Sequence, residues 1–313
     1  MSTNIDKKSI QSIQSVHEKI DKDQLNYQKR ARAKAFTNSY LFDLIDLKSP
    51  LVKSYWNTYH CSRTILQEGK KLTSKYCNNR WCLTCNRIRT AKMINGYSPS
   101  IERFNDPQFL TLTIPNVEAK ELRIAIEQMN SALMRIRKNL KKTYKVNLMA
   151  LRKYESTYNL KTNTYHPHFH LIVEGKTNAD LLIDLWLNQF KSADRKAQDV
   201  REASDTSLVE LCKYFTKIIA KDNDYNPRAL DIMFRAVKGK RTFQPIGIKK
   251  DVSEDIDEIQ SQEIDFKPPA DDIWVYETDA HDWVTADGEL LSEYAPTEKD
   301  LKVIEQKYKP PPL

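Results

Sequence analysis

From Phe109 to Ile114 apolar and polar side chains alternate, until Pro115 and Asn116 stop the run. That period of two predicts a strand. Leu122, Ile126, Met129, Leu133, Ile136 and Leu140 then recur at alternating four- and three-residue spacings, which predicts a helix over 118–142. Its opposite face carries Arg135, Arg137, Lys138, Lys141 and Lys142. Residues 148–158 read as a second strand, 159–164 as a turn and 166–174 as a returning strand. Residues 178–190 read as a helix and 197–203 as a short strand. A last helix starts near Ser207, with Asp205 or Thr206 as its cap. The order β-α-β-β-α-β-α predicts an α+β fold, a ferredoxin-like antiparallel sheet backed by helices.

The flanks differ from this centre. Residues 8–34 read as a polar helix with a thin apolar stripe of Ile10, Ile13, Val16 and Ile20. It ends in the basic run Lys29–Arg30–Ala–Arg32–Ala–Lys34. Beyond residue 249, Asp251–Phe266 is acidic and Lys267–Pro–Pro–Ala breaks the chain, as a linker would. Ile273–Tyr276 then reads as a strand, pairing with Trp283–Val284 or Leu290–Leu291, and a terminal helix is expected from Thr297. No internal repeat of useful length is visible.

Charge sharpens the contrast. Residues 251–313 hold 5 Lys/Arg against 18 Asp/Glu, a net of −13, which leaves 45 basic and 24 acidic residues, a net of +21, in residues 1–250. A body this positive suits a polyanion held through its phosphates. Six glycines and the lack of a Walker or dinucleotide fingerprint argue against a glycine-rich phosphate loop. The polar start, Met1–Ser–Thr–Asn–Ile–Asp–Lys–Lys, has no signal-peptide core and no apolar run approaches membrane-spanning length, so a cytoplasmic protein with no membrane partner is expected.

Four of the five cysteines cluster: Cys61, then Cys77, Cys82 and Cys85 in a Cys-x4-Cys-x2-Cys core. Reduced thiols at these spacings fit tetrahedral Zn²⁺, which also suits a loop-rich segment with little core of its own. Whether His60 replaces Cys61 is left open by spacing. Cys212 stands apart and reads as a packed thiol.

The chemistry gathers elsewhere. In a strand His168 and His170 share one face while Phe169, Leu171 and Val173 fill the other. Glu155, on the strand before the turn, can come opposite the pair. Two imidazoles and a carboxylate form a mixed oxygen and nitrogen site for Mn²⁺ or Mg²⁺ with open water positions. His166 is a spare. Forty residues after His170, Glu210 and Tyr214 lie one helical turn apart, with Lys217 just beyond. Metal, phenol and carboxylate together suggest phosphodiester chemistry through a covalent tyrosine.

At this point the residues resemble a known family. The Phe109–Asn116 strand, His166–Pro–His–Phe–His170 and Glu210–Leu–Cys–Lys–Tyr–Phe–Thr–Lys217 look like motifs of plasmid rolling-circle replication initiators, within the wider HUH endonucleases. The similarity covers roughly residues 60–245, and the cysteine cluster resembles one branch of those initiators. Leu83 departs from the proline common in that family after the middle cysteine. The resemblance implies that Tyr214 attacks origin DNA, single-stranded at the nick, leaving a 5′-phosphotyrosine and a 3′-OH that primes a host polymerase, with a host helicase as a further partner. Ile218, one turn later, excludes a two-tyrosine exchange on this helix, so Glu210 becomes the general base that finishes the cycle, and Lys217 stabilises phenolate or phosphate charge. A bacterial cytoplasm is the implied setting.

The expected divisions are a helical basic N-terminal arm (1–55), a zinc-binding module (56–100), an HUH endonuclease domain (104–250) and an acidic linker and C-terminal extension (251–313). Two other readings fit the same residues: a non-catalytic zinc-containing nucleic-acid-binding regulator with structural histidines, and an HUH-type transposase using the same site.

Overall fold

The computed structural model describes residues 7–69, 71–212, 226–250, 260–261 and 272–305, with side chains from residue 23 onward except at 260–261. In chain order the first elements are α1 (Lys7–Asp46), α2 (Val52–Tyr59), β1 (Thr64–Glu68), β2 (Lys71–Ser74) and α3 (Leu83–Glu102). Next come β3 (Pro107–Thr113), α4 (Leu122–Lys142), β4 (Ala150–Asn159), β5 (Thr164–Glu174), α5 (Lys176–Gln189) and β6 (Asp199–Glu202). The last are α6 (Ser207–Cys212), α7 (Pro227–Val237), β7 (Phe243–Ile246), β8 (Gln260–Ser261), β9 (Asp272–Glu277), β10 (Asp282–Val284) and α8 (Glu298–Ile304). The chain divides into two compact units, residues 46–52 with 88–256, and residues 1–45, 53–87 and 257–313.

The first of these units holds an antiparallel sheet in the order β6-β3-β5-β4-β7. Numbered within the β-α-β-β-α-β segment, its first four strands run 4-1-3-2, the ferredoxin-like arrangement expected from the sequence. The fifth strand, β7, was not visible in the pattern, and its Pro245 is tolerated because β7 lies at the edge. Just beyond it Gly247 has φ +70, and a Cβ there would lie 2.5 Å from the Leu148 carbonyl oxygen, so only glycine fits this approach.

Alternation gives each face of the sheet its own role. Leu110 and Leu112 pair with Leu171 and Phe169 and bury one face beneath α4 and α5. The apolar stripe of α4 predicted from sequence, Leu122 to Leu140, is buried throughout. Phe169 packs edge-on against Trp186 of α5, whose indole donates to the Thr113 carbonyl at 2.9 Å. Arg152, 1% exposed, lies 4.5 Å over the Phe169 ring and donates to Asn130, the Arg241 carbonyl and Gln244. Burial, with Arg241 nearby, lowers its pKa to about 10. On the opposite face Phe109, Leu151 and Ile172 form a second core with Met93 and Tyr97 of α3 and Leu208, Leu211 and Cys212 of α6.

The other unit is built on a sheet ordered β10-β9-β1-β2-β8. Residues 272–284, assigned from sequence to a C-terminal extension, supply β9 and β10, with β9 paired to β1 from Thr64↔Val275 to Gln67↔Asp272. The expected hairpin and helix are both present, and Thr297 caps α8 in a capping box with Asp300. Trp283, fully buried, donates to the Ser62 carbonyl at 2.6 Å within a core of Ala31, Ile65, Leu72, Trp274 and Tyr276. Arg32 of α1 pairs with Asp300 at 2.8 Å. The expectation of a loop-rich cysteine segment is corrected: α2, β1, β2 and the start of α3 run through it. Helix α1 also continues past residue 34, because Phe36, Leu41 and Leu44 are buried.

Phe169→Ala should cost about 3–5 kcal/mol of stability in urea denaturation. Leu160→Ala, at a side chain 53% exposed in the β4–β5 turn, should stay within about 0.5 kcal/mol.

Candidate metal centres

Register decides which side chains meet. In the β4–β5 hairpin Glu155 stands opposite His168 and Lys153 opposite His170, all on the sheet face away from α4 and α5. One Glu155 oxygen lies 3.7 Å from His168 Nε2 and 3.5 Å from His170 Nε2. The three donor atoms lie within 4.8 Å of one another.

The outer ring nitrogens are already engaged. His168 Nδ1 is 3.0 Å from the His166 carbonyl oxygen, so Nδ1 carries a proton and Nε2 is the nitrogen left for a metal in the neutral ring. His170 Nδ1 is 3.1 Å from the Thr111 hydroxyl. These outer contacts orient both rings toward a shared point, as metal-ligating histidines require. Donor chemistry and orientation both fit a divalent metal ion.

Lys153, which the sequence reading did not single out, completes the site. Its side chain is 3% exposed and its Nζ lies 2.5 Å from the second Glu155 oxygen. Burial opposes ionisation of Glu155, but hydrogen bonds from His168 and His170 and the Lys153 charge outweigh it, holding the carboxyl well below the usual range. The site therefore meets a cation with its carboxylate already ionised. A signal was present: Arg152 and Lys153 are adjacent in a strand, so one of two long cations had to face the histidine side. His166 instead bonds the Thr113 hydroxyl, and burial followed by His168 lowers its pKa.

Helix α6 packs on this same face. Leu208, Leu211 and Cys212 contact the core that includes Phe109 and Ile172, and the Phe109 ring centroid lies 5.5 Å from that of His170. Cys212 reads correctly as a packed thiol, its pKa raised to about 12 by burial against a lowering by Lys153. Glu210 is 43% exposed and paired with Arg201 at 2.8 Å, and the Arg201 guanidinium stacks 4.4 Å over Phe109. Tyr214, Lys217 and Ile218 lie outside the described residues.

The four cysteines gather in the other unit. Sγ–Sγ distances are 3.4 Å for Cys61–Cys85, 3.6 Å for Cys61–Cys82 and 3.7 Å for Cys77–Cys85. A tetrahedron of Zn–S bonds of about 2.3 Å has edges of about 3.8 Å, so the thiols fit Zn²⁺ closely. Backbone N–H groups of Cys77, Asn79 and Cys85 point at Cys61, Cys77 and Cys82 sulfurs. The choice left open between Cys61 and His60 is resolved by position: the Cys61 sulfur joins the cluster, while the His60 ring stacks on Trp56. Beneath the cluster the Lys34 ammonium, 1% exposed at residue level, donates to the Tyr59 and Cys61 carbonyls, a fixed positive charge beside four thiols. Burial lowers its pKa and the cysteines counter that.

The four-thiol cluster and the Glu-His-His group are each of a kind that can hold a metal ion. Residues 69–178 match the family described as replication protein, a span holding three of the cysteines and all of Glu155, His168 and His170. The chain is similar to a protein named Protein rep from Staphylococcus aureus, 29% identical over 178 residues, covering 51% of this chain and 76% of that protein. A Protein rep from Streptococcus pneumoniae is 27% identical over 56% of this chain and 62% of its own length. One from Bacillus amyloliquefaciens is 25% identical over 60% of this chain and 66% of its own. These matches support a plasmid replication initiator. No solved structure matches significantly. Among the described residues no helix is long and apolar enough to cross a membrane.

Two metal predictions follow from the geometry. Thr111→Val, which removes the hydroxyl behind His170, should weaken Mn²⁺ binding roughly 10- to 100-fold in calorimetric titration, leaving zinc content unchanged. Cys85→Ser should do the reverse, lowering zinc below one equivalent by atomic absorption.

Proposed function

We propose that this protein initiates rolling-circle replication of a plasmid by nicking origin DNA through Tyr214, as a single-tyrosine HUH endonuclease. The observation that carries the reading is the shared sheet face, where Glu155, His168 and His170 converge and on which α6 packs two residues before Tyr214. The family match and the Rep relatives support the replication role.

The Tyr214 oxygen attacks a phosphorus in single-stranded origin DNA as the phenol gives up its proton. The bond to the 3′ oxygen breaks, leaving a 5′-phosphotyrosine and a 3′-OH. A phenolate is both a fair nucleophile and a fair leaving group, so the link is reversible and supports rejoining at termination. A divalent cation held by Glu155, His168 and His170 supplies charge that polarises the scissile phosphate. His168 and His170 keep their Nε2 atoms aimed at that point, and Lys153 holds Glu155 toward them. Glu210, freed from Arg201, acts as general base in the closing transfer, and Lys217 stabilises phenolate or phosphate charge. The 3′ end then serves a host polymerase, with a host helicase opening the duplex, and Zn²⁺ on the four cysteines is structural.

Purified protein mixed with Mn²⁺ and a single-stranded origin fragment should yield a peptide–DNA adduct mapped by mass spectrometry to Tyr214. Tyr214→Phe should abolish that adduct with origin binding retained; an undiminished adduct removes Tyr214 as the nucleophile. Glu210→Ala should leave nicking within a few-fold and slow product release by roughly 100-fold or more.

A further inference from the structure

Beside the cysteine cluster, four rings meet on one surface. Phe42 of α1 lies 5.3 Å from Tyr59 of α2, Trp56 lies 5.8 Å from Tyr59, and His60 lies 5.2 Å from Tyr59 and stacks on Trp56 at 6.2 Å. Phe42 is 47% and Trp56 42% exposed. Folding buries rings of this size wherever it can, and it does so for Trp81, Trp186, Trp274 and Trp283, none more than 8% exposed. An exposed aromatic group rigidly held by its neighbours is the form a stacking surface takes.

The surroundings indicate what stacks there. On α1 Asp43 and Asp46 follow Phe42, and beyond them the sequence has no acidic residue until Glu68. Lys53, one helical turn before Trp56, and Arg63, whose N–H donates to the His60 carbonyl at 3.2 Å, are both exposed. From residue 26 to residue 63 no Leu, Ile, Val or Met is exposed and only Leu47 and Val52 are half-buried, so the segments that carry the rings offer little of the aliphatic surface a protein partner would bury. Flat π faces flanked by cations are complementary to nucleobases on a phosphate chain.

We propose that Phe42, Trp56 and His60 form a stacking platform for the bases of single-stranded DNA, with Lys53 and Arg63 engaging its phosphates. Tyr59 supports the platform from behind. The cysteine cluster sets its position: Cys61 follows His60 directly, and the Thr58 hydroxyl on α2 accepts a 2.9 Å bond from Asn79, between Cys77 and Cys82. DNA as the occupant rests on the replication reading above. The site itself shares no residue with Glu155, His168, His170 or Tyr214.

Trp56 is the one exposed tryptophan among the five, so its fluorescence reports this surface. The test titrates zinc-loaded full-length protein with oligothymidylate, without Mn²⁺ so that no cleavage occurs, following tryptophan emission and the anisotropy of labelled oligonucleotide together. Emission should be quenched saturably, and Trp56→Phe should remove the quench with affinity held within a few-fold. Phe42→Ala with Trp56→Ala should weaken binding roughly 5- to 100-fold. Lys53→Ala should lower the salt slope by about 0.7. Zinc content and circular dichroism check that each variant folds. Binding by anisotropy with no quench, unchanged affinity in the double variant, or equal quenching by duplex DNA would each overturn the platform. Adduct formation at Tyr214 is scored separately, so either proposal can fail while the other stands.

Discussion

Ten cross-strand pairs between β4 and β5, from Ala150 opposite Val173 to Asn159 opposite Thr164, hold the metal-site donors in place. Side chains alternate faces along a strand, so a slip of one residue in this pairing would set Glu155 against the helix side and strip the histidines of their carboxylate. The apolar face prevents that slip. Tyr154 and Phe169 stand opposite each other with centroids 6.2 Å apart, and Phe169 is locked between Trp186 and the Arg152 guanidinium. Burying these rings on one side therefore aligns the polar donors on the other. Packing supplies the free energy and the site inherits the geometry.

The same strand places two cations in opposite surroundings. Arg152 is buried among neutral acceptors and a ring, with no carboxylate partner among the described residues, and planar delocalised charge tolerates that setting. Lys153, a compact charge, is buried against the one carboxylate of the metal site. Burial alone would push this carboxylate toward its protonated form. Hydrogen bonds from His168 and His170, with the Lys153 charge added, outweigh that and hold it well below the usual carboxylate range. The lysine belongs to the resting site as much as the three donors do.

What could be read from the chain and what could not divides along one line, local period against long-range partner. The alternation at 109–114 and the heptad-like stripe of α4 are properties of short windows, and β3, α4, β5 and the 4-1-3-2 order appear as that pattern predicts. Glu155 was reachable because a hairpin keeps its partner strand close in sequence. Thr111 was not, since its contact with His170 exists only once β3 pairs with β5 across 59 positions. The pairing of β9 with β1 spans some two hundred residues, and nothing in the acidic composition of 251–313 announces it. Helices α2 and α3 were obscured because cysteine spacing dominates that stretch and their apolar stripes are weak. Trp56 carried no periodic signal at all; only its exposure after folding separates it from four ordinary core tryptophans.

The two metal centres differ in a way that assigns their work. Four sulfurs at tetrahedral edge distances close a coordination sphere completely, leaving no position for water or phosphate. Two imidazoles and one carboxylate offer only three donors and would leave a bound cation open to water or phosphate, on the face where α6 packs. On the proposed function, chemistry on a phosphate belongs to the sheet and the thiolate cluster acts by fixing backbone. The part it fixes is the end of α2 and the turn through His60 and Cys61, next to the exposed Trp56 ring. On the proposed function and the proposed platform, one centre breaks and rejoins the strand, and the other keeps a surface in shape to hold it.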